Sequence, residues 1–267
     1  MSLHVKIRLQ LAEMLASTQI DEAAQLNNAL RLLSKWRSVL IQNTLIQHQG
    51  LTVLQGPLAG LDFIEQSAEG CHIAKLLGCY EQPLLPYIQK AIELQYQTIV
   101  NIGCAEGYYA VGMARHMPNT QVMAYDLNPN AQHTCQTLAD KNGVSERITI
   151  GGLFNPEDFA SYANTKTLVM CDIEGAEQEL LDPSKAPALS TLDIIVESHE
   201  GLRAGITQTL INRFKATHDI ILIHDNGQRH LNQMPAWFNN LAHLDQLLAV
   251  WEWRSGPTPW LVMAAKQ

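Results

Sequence analysis

From residue 97 onward, short apolar runs alternate with helical patterns, and this alternation restricts the chain to few folds. One helical stretch, 129–142, has proline at its start and Gly143 just past its end, as capped helices do. Strands that alternate with helices build a mostly parallel sheet covered by helices. We therefore predict an α/β fold whose strands are the runs at 98–102, 122–126, 147–150, 167–172, 193–197, 219–224 and 260–264.

The first fifty residues carry a helical pattern without strands. Asp21 is placed to cap a helix and Gly50 to end it. A small hairpin or irregular loop is predicted at 51–64, and another helix at 83–94. We treat 1–95 as an N-terminal helical extension, used as a lid or a dimer interface, and 96–267 as the main domain. The apolar residues at helical steps of three and four are Leu26, Leu30, Leu33, Trp36 and Leu40.

Composition excludes several classes of protein. The 26 acidic and 18 basic residues give a net charge of −8, which argues against a nucleic-acid partner, since phosphate binding needs a basic face. No apolar run is long enough to span a membrane, and charges interrupt the first residues where a signal peptide would need an apolar core. The five cysteines form no Cys-x-x-Cys pair, so we expect reduced thiols and a cytoplasmic protein.

The first predicted strand ends in a glycine loop, Asn101-Ile-Gly-Cys-Ala-Glu-Gly107. Its Gly-x-x-x-Gly spacing differs from the Gly-x-Gly-x-x-Gly of dinucleotide sites, which disfavours a dehydrogenase. The second strand ends in Asp126, and a carboxylate there can accept hydrogen bonds from both hydroxyls of a ribose. Either feature alone fits a structural loop or a turn cap. Together, on the first two strands, they predict a nucleoside site.

Three segments resemble a known family. Residues 100–109, Val-Asn-Ile-Gly-Cys-Ala-Glu-Gly-Tyr-Tyr, resemble motif I of the class I methyltransferases. Residues 171–177, Cys-Asp-Ile-Glu-Gly-Ala-Glu, resemble the Asp-(Val/Ile)-Glu-Gly-Ala-Glu signature of the FkbM type, and 194–199 resemble the strand that follows it. The resemblance covers about 97–200. It implies a Rossmann-like, seven-stranded, mostly parallel sheet with the last strand antiparallel, S-adenosylmethionine as methyl donor, and often a hydroxyl acceptor.

The resemblance also implies cofactor contacts by position. Many relatives have Asp where this chain has Asn101, so Glu81 or Asp172 would supply the charge facing the cofactor's ammonium. The other implied contacts are Gly103, Glu106 and Gly107 at the methionine and ribose, Asp126 at the ribose, Leu127, Gly152 and Leu153 at the adenine, and Asp172 near the amino group.

Methyl transfer to a hydroxyl needs a base to remove a proton. His199 is the first choice, because a neutral imidazole accepts protons near neutral pH; the alternative is that it only caps its strand. Asp172 and Glu174 are further catalytic candidates, whereas Glu177 is expected to begin a helix. A divalent cation is an alternative, but no tight ligand spacing supports one and none is predicted. Its ligands would be Asp172, Glu197, His199 and His224.

The tail 251–260 contains three tryptophans. It could shape an acceptor pocket, with Arg254 pairing a carboxylate or phosphate, or its tryptophans could cover the sheet edge. We predict O-methylation of a small-molecule or glycan hydroxyl. The alternatives are N-methylation of a small molecule or protein, and a non-catalytic nucleoside-binding protein of the same fold.

Overall fold

A computed structural model describes residues 1–65, 67, 71–232, 234–254, 256 and 258–266. Its centre is a seven-stranded sheet in the order β3-β2-β1-β4-β5-β7-β6. Neighbouring strands from β3 to β5 run parallel, and β7 is antiparallel to both β5 and β6. The seven predicted strands and the reversed last strand are thus confirmed. The strands are β1 Thr98–Ile102, β2 Gln121–Tyr125, β3 Ile148–Gly151, β4 Thr167–Cys171, β5 Asp193–Glu197, β6 His218–Ile223 and β7 Trp260–Ala265.

Helices cover both faces of this sheet, because its central strands are apolar on both sides. Ile99 packs into one core and Val100, the next residue of β1, into the other. The first core includes residues of the second to sixth helices, and the second core those of the seventh and eighth. The helices are α1 Leu3–Ala16, α2 Glu22–Gln49, α3 His72–Leu77, α4 Leu85–Leu94, α5 Tyr108–His116, α6 Pro129–Lys141, α7 Glu177–Leu180, α8 Ile206–Phe214, α9 Ala236–Asn239 and α10 His243–Val250.

The N-terminal extension is helical, as predicted, and it shares the first core with the sheet from Ile41 onward. Asp21 caps α2 by accepting a hydrogen bond from the Ala24 amide at 2.8 Å, and Gly50 ends the helix. The hairpin predicted at 51–64 contains one antiparallel bridge, between Thr52 and Asp62. No helix among the described residues combines the length and apolar character needed to cross a bilayer.

The apolar stripe identified on α2 is not its buried face. Leu26 and Leu30 are 65% and 66% exposed. The helix instead turns another side toward α3 and α10, where Ser38, Ile41 and Leu45 are buried. Helical periodicity detects a stripe but carries no information about which neighbour covers it. The packing of α2 therefore had to come from the structure.

Candidate active site

Three cavities meet at Asp172, directly after β4. We call them the apolar cavity (about 500 Å³), the polar pocket (about 40 Å³) and the acidic cavity (about 590 Å³), and Asp172 lines all three. They lie beyond the carboxyl ends of the parallel strands, where ligands bind in sheets of this type. A ligand in the apolar cavity and another in the acidic cavity would therefore approach each other beside this carboxylate.

The apolar cavity brings together predicted residues from three strand ends. Asp126 lies on its wall and accepts hydrogen bonds from the amides of Ala105 at 2.9 Å and Asn128 at 2.8 Å. A carboxylate has about four acceptor positions, so capacity for two ligand hydroxyls remains. Other predicted lining residues are Gly103, Leu127, Gly152 and Leu153, with the aromatic rings of Tyr125 and Phe154 beside them. This lining suits a nucleoside.

The two glycines of the loop serve different purposes. Gly103 has φ +76°, and a Cβ there would lie 1.6 Å from the backbone oxygen of Asp172. Only glycine allows β1 to leave the sheet so close to the chain after β4. Gly107, at the start of α5, has φ +89° and faces Cys135 of α6 rather than any of the three cavities. Gly107 therefore allows α5 to pack closely against α6 behind the loop.

The polar pocket is built from buried charges. Glu81 accepts a hydrogen bond from the Tyr109 hydroxyl at 2.6 Å and pairs with Arg254. Burial raises the pKa of Glu81 to about 7, with the charge of Glu197 adding to the rise and Arg254 opposing it. Asn101 and Glu106, also predicted, line the same pocket. A ligand with separate positive and negative groups suits such a lining.

Lys75 of α3 is a pocket residue that sequence reasoning missed. Its side chain is only 4% exposed, forms an ion pair with Glu106, and lies 4.8 Å from the centre of the Tyr80 ring. The helix α4 separates Lys75 from the glycine loop in the sequence, and no sequence pattern linked Lys75 to the loop. The fold brings α3 over the end of β1 and thereby places an ammonium in the pocket.

His199 follows β5 and faces the acidic cavity. Its Nδ1 lies 2.7 Å from Oε1 of Glu177, so that nitrogen carries the proton and Nε2 is left to accept one. Nε2 lies 3.5 Å from Asp172 and 3.4 Å from Glu174, and the residue is 5% exposed. The structure thus brings the three predicted catalytic residues together, oriented by Glu177.

The charges around His199 shift its titration. Burial lowers the pKa of His199, but the hydrogen bond to Glu177 and the charges of Glu197 and Glu174 outweigh burial and raise it above the usual value. Burial raises the pKa of Asp172, and the carboxylates of Glu197 and Glu81 raise it further. A cluster of carboxyl groups therefore surrounds the imidazole.

Glu177 does more than begin a helix. It is the first residue of α7, as predicted, and its Oε1 accepts hydrogen bonds from the amides of Ile173 and Gly175 as well as contacting His199. Burial would raise the pKa of Glu177, but the hydrogen bonds from His199 and Gly175 hold it below the usual value. Glu177 therefore stays ionised behind the imidazole.

Of the four candidate cation ligands, the structure groups Asp172 and His199 and adds Glu174 to them. Ligand atoms of Asp172, Glu174 and His199 lie within 4.8 Å of one another, so these three could hold an ion. His224 lies outside this group and is exposed, because β6 is the edge strand, two strands away from β5. The hydrogen bond to Glu177 already accounts for the orientation of His199, and proton transfer needs no cation.

The tail contributes several residues to the site. Trp253 and Arg254 line the acidic cavity with Glu252, Gly256 and Thr258, and Arg254 pairs with the carboxylates of Glu81 and Glu197. Trp260 is a buried residue of β7, which lies between β5 and β6, and it lines the polar pocket. Trp253 thus fits the pocket interpretation, and Trp260 does not lie at a sheet edge. Ser255 and Pro257 lie outside the described residues.

Unusual backbone conformations concentrate at this site. Glu81, Ala105, Glu174 and Trp253 have φ values of +51°, +47°, +54° and +65°, and all four line the cavities. Side chains other than glycine adopt this region at a cost of about 1–3 kcal/mol, and such residues cluster at functional sites. The strain supports a functional role for the three cavities.

Comparison with known proteins agrees with this fold. A Klebsiella pneumoniae crystal structure described as an O-methyltransferase matches 85% of this chain and 97% of its own, with a TM-score of 0.51 and 13% identity. The strand order and the reversed β7 are those of the class I methyltransferase fold, which this chain has. No protein-family model matches the chain.

Sequence relatives cover part of the chain. A ribosomal protein L11 methyltransferase of Klebsiella pneumoniae is 28% identical over 103 residues, which are 39% of this chain and 32% of that protein. The protein of the same name from Salmonella dublin is 25% identical over 128 residues, 48% of this chain and 39% of its own. The chain thus spans between a third and two fifths of these relatives' length.

Proposed function

We propose that this chain is an S-adenosylmethionine-dependent methyltransferase that methylates a hydroxyl of a small molecule or glycan. The observation that carries the proposal is the junction at Asp172, where a nucleoside-sized apolar cavity meets an acidic cavity containing His199. The class I fold and the methyltransferase names of the sequence relatives support it. We include the FkbM type in the proposal, because residues 172–177 supply Asp172, Glu174 and Glu177 to this junction.

The cavity linings fit the parts of this cofactor. The adenosine would occupy the apolar cavity, with its ribose on Asp126 and its adenine among Leu127, Gly152 and Leu153. The amino-acid end would enter the polar pocket, where the ammonium of Lys75 suits a carboxylate. Glu81 would face the cofactor's ammonium and so replace the charge missing at Asn101.

The chain's own residues would then align the acceptor and remove its proton. When bound, the cofactor supplies a methyl group already activated by a sulfonium. Neutral His199 accepts the hydroxyl proton on Nε2, while Glu177 holds the tautomer and stabilises the imidazolium that forms. Asp172 and Glu174 flank that nitrogen and position the acceptor. The acceptor oxygen would thus lose its proton to His199 as it takes up the methyl group.

Two measurements test the proposal. Calorimetric titration of the protein with S-adenosylhomocysteine should show one site per chain. Transfer of a labelled methyl group should then occur to members of a hydroxyl-bearing metabolite and glycan panel. Binding without transfer to any panel member favours the non-catalytic alternative, and transfer only to amines favours N-methylation. A protein that binds neither S-adenosylmethionine nor S-adenosylhomocysteine overturns the proposal.

Asp126→Ala is expected to weaken S-adenosylhomocysteine binding about tenfold or more, the scale of a lost charged hydrogen bond. The physical reason is the loss of the acceptor for the ribose hydroxyls, together with the anchor for the Ala105 amide. Calorimetric titration measures the change. Asp126→Asn, which keeps one acceptor oxygen, should lose less. Unchanged affinity in the alanine variant would remove Asp126 from the cofactor site.

The activity should also rise with pH as a group loses its proton, and the pKa of that group should lie above the usual histidine pKa of about 6.5. His199 acts as a base only when neutral, and Glu177, Glu197 and Glu174 raise its pKa, so the protonated, inactive form persists to higher pH. Glu177→Gln removes the hydrogen-bonded charge, so the rise in activity should occur at lower pH. A pH profile of kcat for both proteins measures the shift. If the rise stays at the same pH, it reports the ionisation of another group, such as Glu81.

A further inference from the structure

The acidic cavity contains more negative than positive groups. Its lining includes the carboxylates of Asp172, Glu174, Glu197 and Glu252. The guanidinium of Arg254 is shared among Glu81, Glu197 and Glu252. Arg254 therefore offers little charge to an acceptor entering the cavity.

Among the acidic residues that line the cavity, Asp172 and Glu174 are the two that form no ion pair with a lysine or arginine of the described residues. Within the described part of the chain, their only ion-pair contacts are to His199, at 3.5 and 3.4 Å. The Glu174 side chain is 68% exposed and reaches into the opening of the cavity. An incoming cation would gain the attraction of the Glu174 carboxylate and a hydrogen-bond acceptor in Asp172, whereas an anion would be repelled by Glu174.

An aromatic ring on the cavity wall already holds an ammonium group. The Nζ of Lys35, from α2, lies 5.1 Å from the centre of the Trp253 ring. This distance is that of a cation–π contact, in which the face of the ring attracts an ammonium group. Lys35 forms no ion pair among the described residues, and its flexible side chain can move away. The wall thus offers a second ammonium-binding feature beside the carboxylates.

We propose that the acceptor carries a protonated amine in addition to the hydroxyl that is methylated, as amino alcohols and amino sugars do. Its ammonium binds between Glu174 and Trp253 in place of Lys35, and its hydroxyl lies at His199. This inference rests on the proposed function and adds the class of substrate to it. Neutral and anionic acceptors lack the group that this wall selects.

The test compares three probes of one shape and different charge. Benzylamine (protonated at pH 7.5), benzyl alcohol and benzoate are titrated into the S-adenosylhomocysteine-loaded protein. We expect benzylamine to bind about tenfold or more tightly than the other two, the effect of a charged hydrogen bond. Equal affinities, a preference for benzoate, or no binding by any probe would overturn the inference. S-Adenosylhomocysteine binding is measured first, so its failure points separately to the proposed function.

Two variants give opposite expected shifts and so report the sign of the acceptor's charge. Glu174→Gln should weaken benzylamine binding about threefold to tenfold and leave benzyl alcohol unchanged. Lys35→Gln should strengthen benzylamine binding, because it removes the competing ammonium. Glu146→Gln, an exposed glutamate before β3 at the other edge of the sheet, is the matched control and should change neither. The reverse pattern in the two cavity variants would indicate an anionic acceptor.

Discussion

Replacing His199 with alanine is expected to lower kcat about 100- to 10,000-fold, the range for losing a general base. S-Adenosylhomocysteine affinity should stay nearly constant, since His199 lines the acidic cavity and not the apolar one. Single-turnover transfer of a labelled methyl group and calorimetric titration measure the two quantities. Full kcat in the variant would show that His199 only caps its strand.

Glu177→Gln separates positioning from proton transfer. Glutamine keeps the size of the side chain and an acceptor oxygen for the Nδ1–H of His199, but it removes the charge that would stabilise the imidazolium. We expect a smaller loss of kcat than in His199→Ala, with KM nearly unchanged. Glu146→Gln, at an exposed glutamate before β3 that lines none of the three cavities, is the matched control and should retain full activity. Equal losses in both glutamine variants would point to a general effect of removing a carboxylate.

Gly103→Ala is expected to lower the free energy of unfolding by about 2–4 kcal/mol and to abolish cofactor binding. Its Cβ would lie 1.6 Å from the Asp172 backbone oxygen, so the loop or β4 must shift. The same shift would displace Asp172, where the three cavities meet. Denaturant unfolding and calorimetric titration measure both effects.

Gly143 provides the matched control for this substitution. It also has positive φ, +66°, but a Cβ there meets nothing within 4 Å. Gly143→Ala should therefore cost only the conformational strain of about 1 kcal/mol and leave binding intact. Equal losses in the two variants would mean that backbone conformation, rather than the close approach to Asp172, makes glycine necessary at position 103.

The strand-end residues that line the apolar cavity could be placed from the sequence because their positions are local. Gly103 and Asp126 each follow directly on a strand, and parallel neighbours bring strand ends to one edge. Asp172 and His199 follow from the same rule on β4 and β5. Alternation of strands and helices indicated the sheet, and the motif of residues 100–109 indicated the class of fold.

The contacts around the acidic cavity could not be predicted, because segments that are distant in the sequence build them. Lys35 and Trp253 are more than 200 residues apart in the sequence, and their contact depends on how α2 packs. The apolar stripe of α2 does not identify the face that packs against α3 and α10, and no pattern linked Lys75 to Glu106. Tertiary packing determines these contacts, and local periodicity does not contain it.

The reversed direction of β7 has a consequence for how such a protein can change. Because β7 runs against its neighbours, the residues before it arrive at the same edge as the residues after β1, β4 and β5. Trp253 and Arg254 thus join the site from a segment that supplies no part of the apolar cavity. Exchange of this segment, together with α2, would therefore alter the acidic cavity while leaving the lining of the apolar cavity unchanged. The two cavities can thus change independently during evolution or redesign.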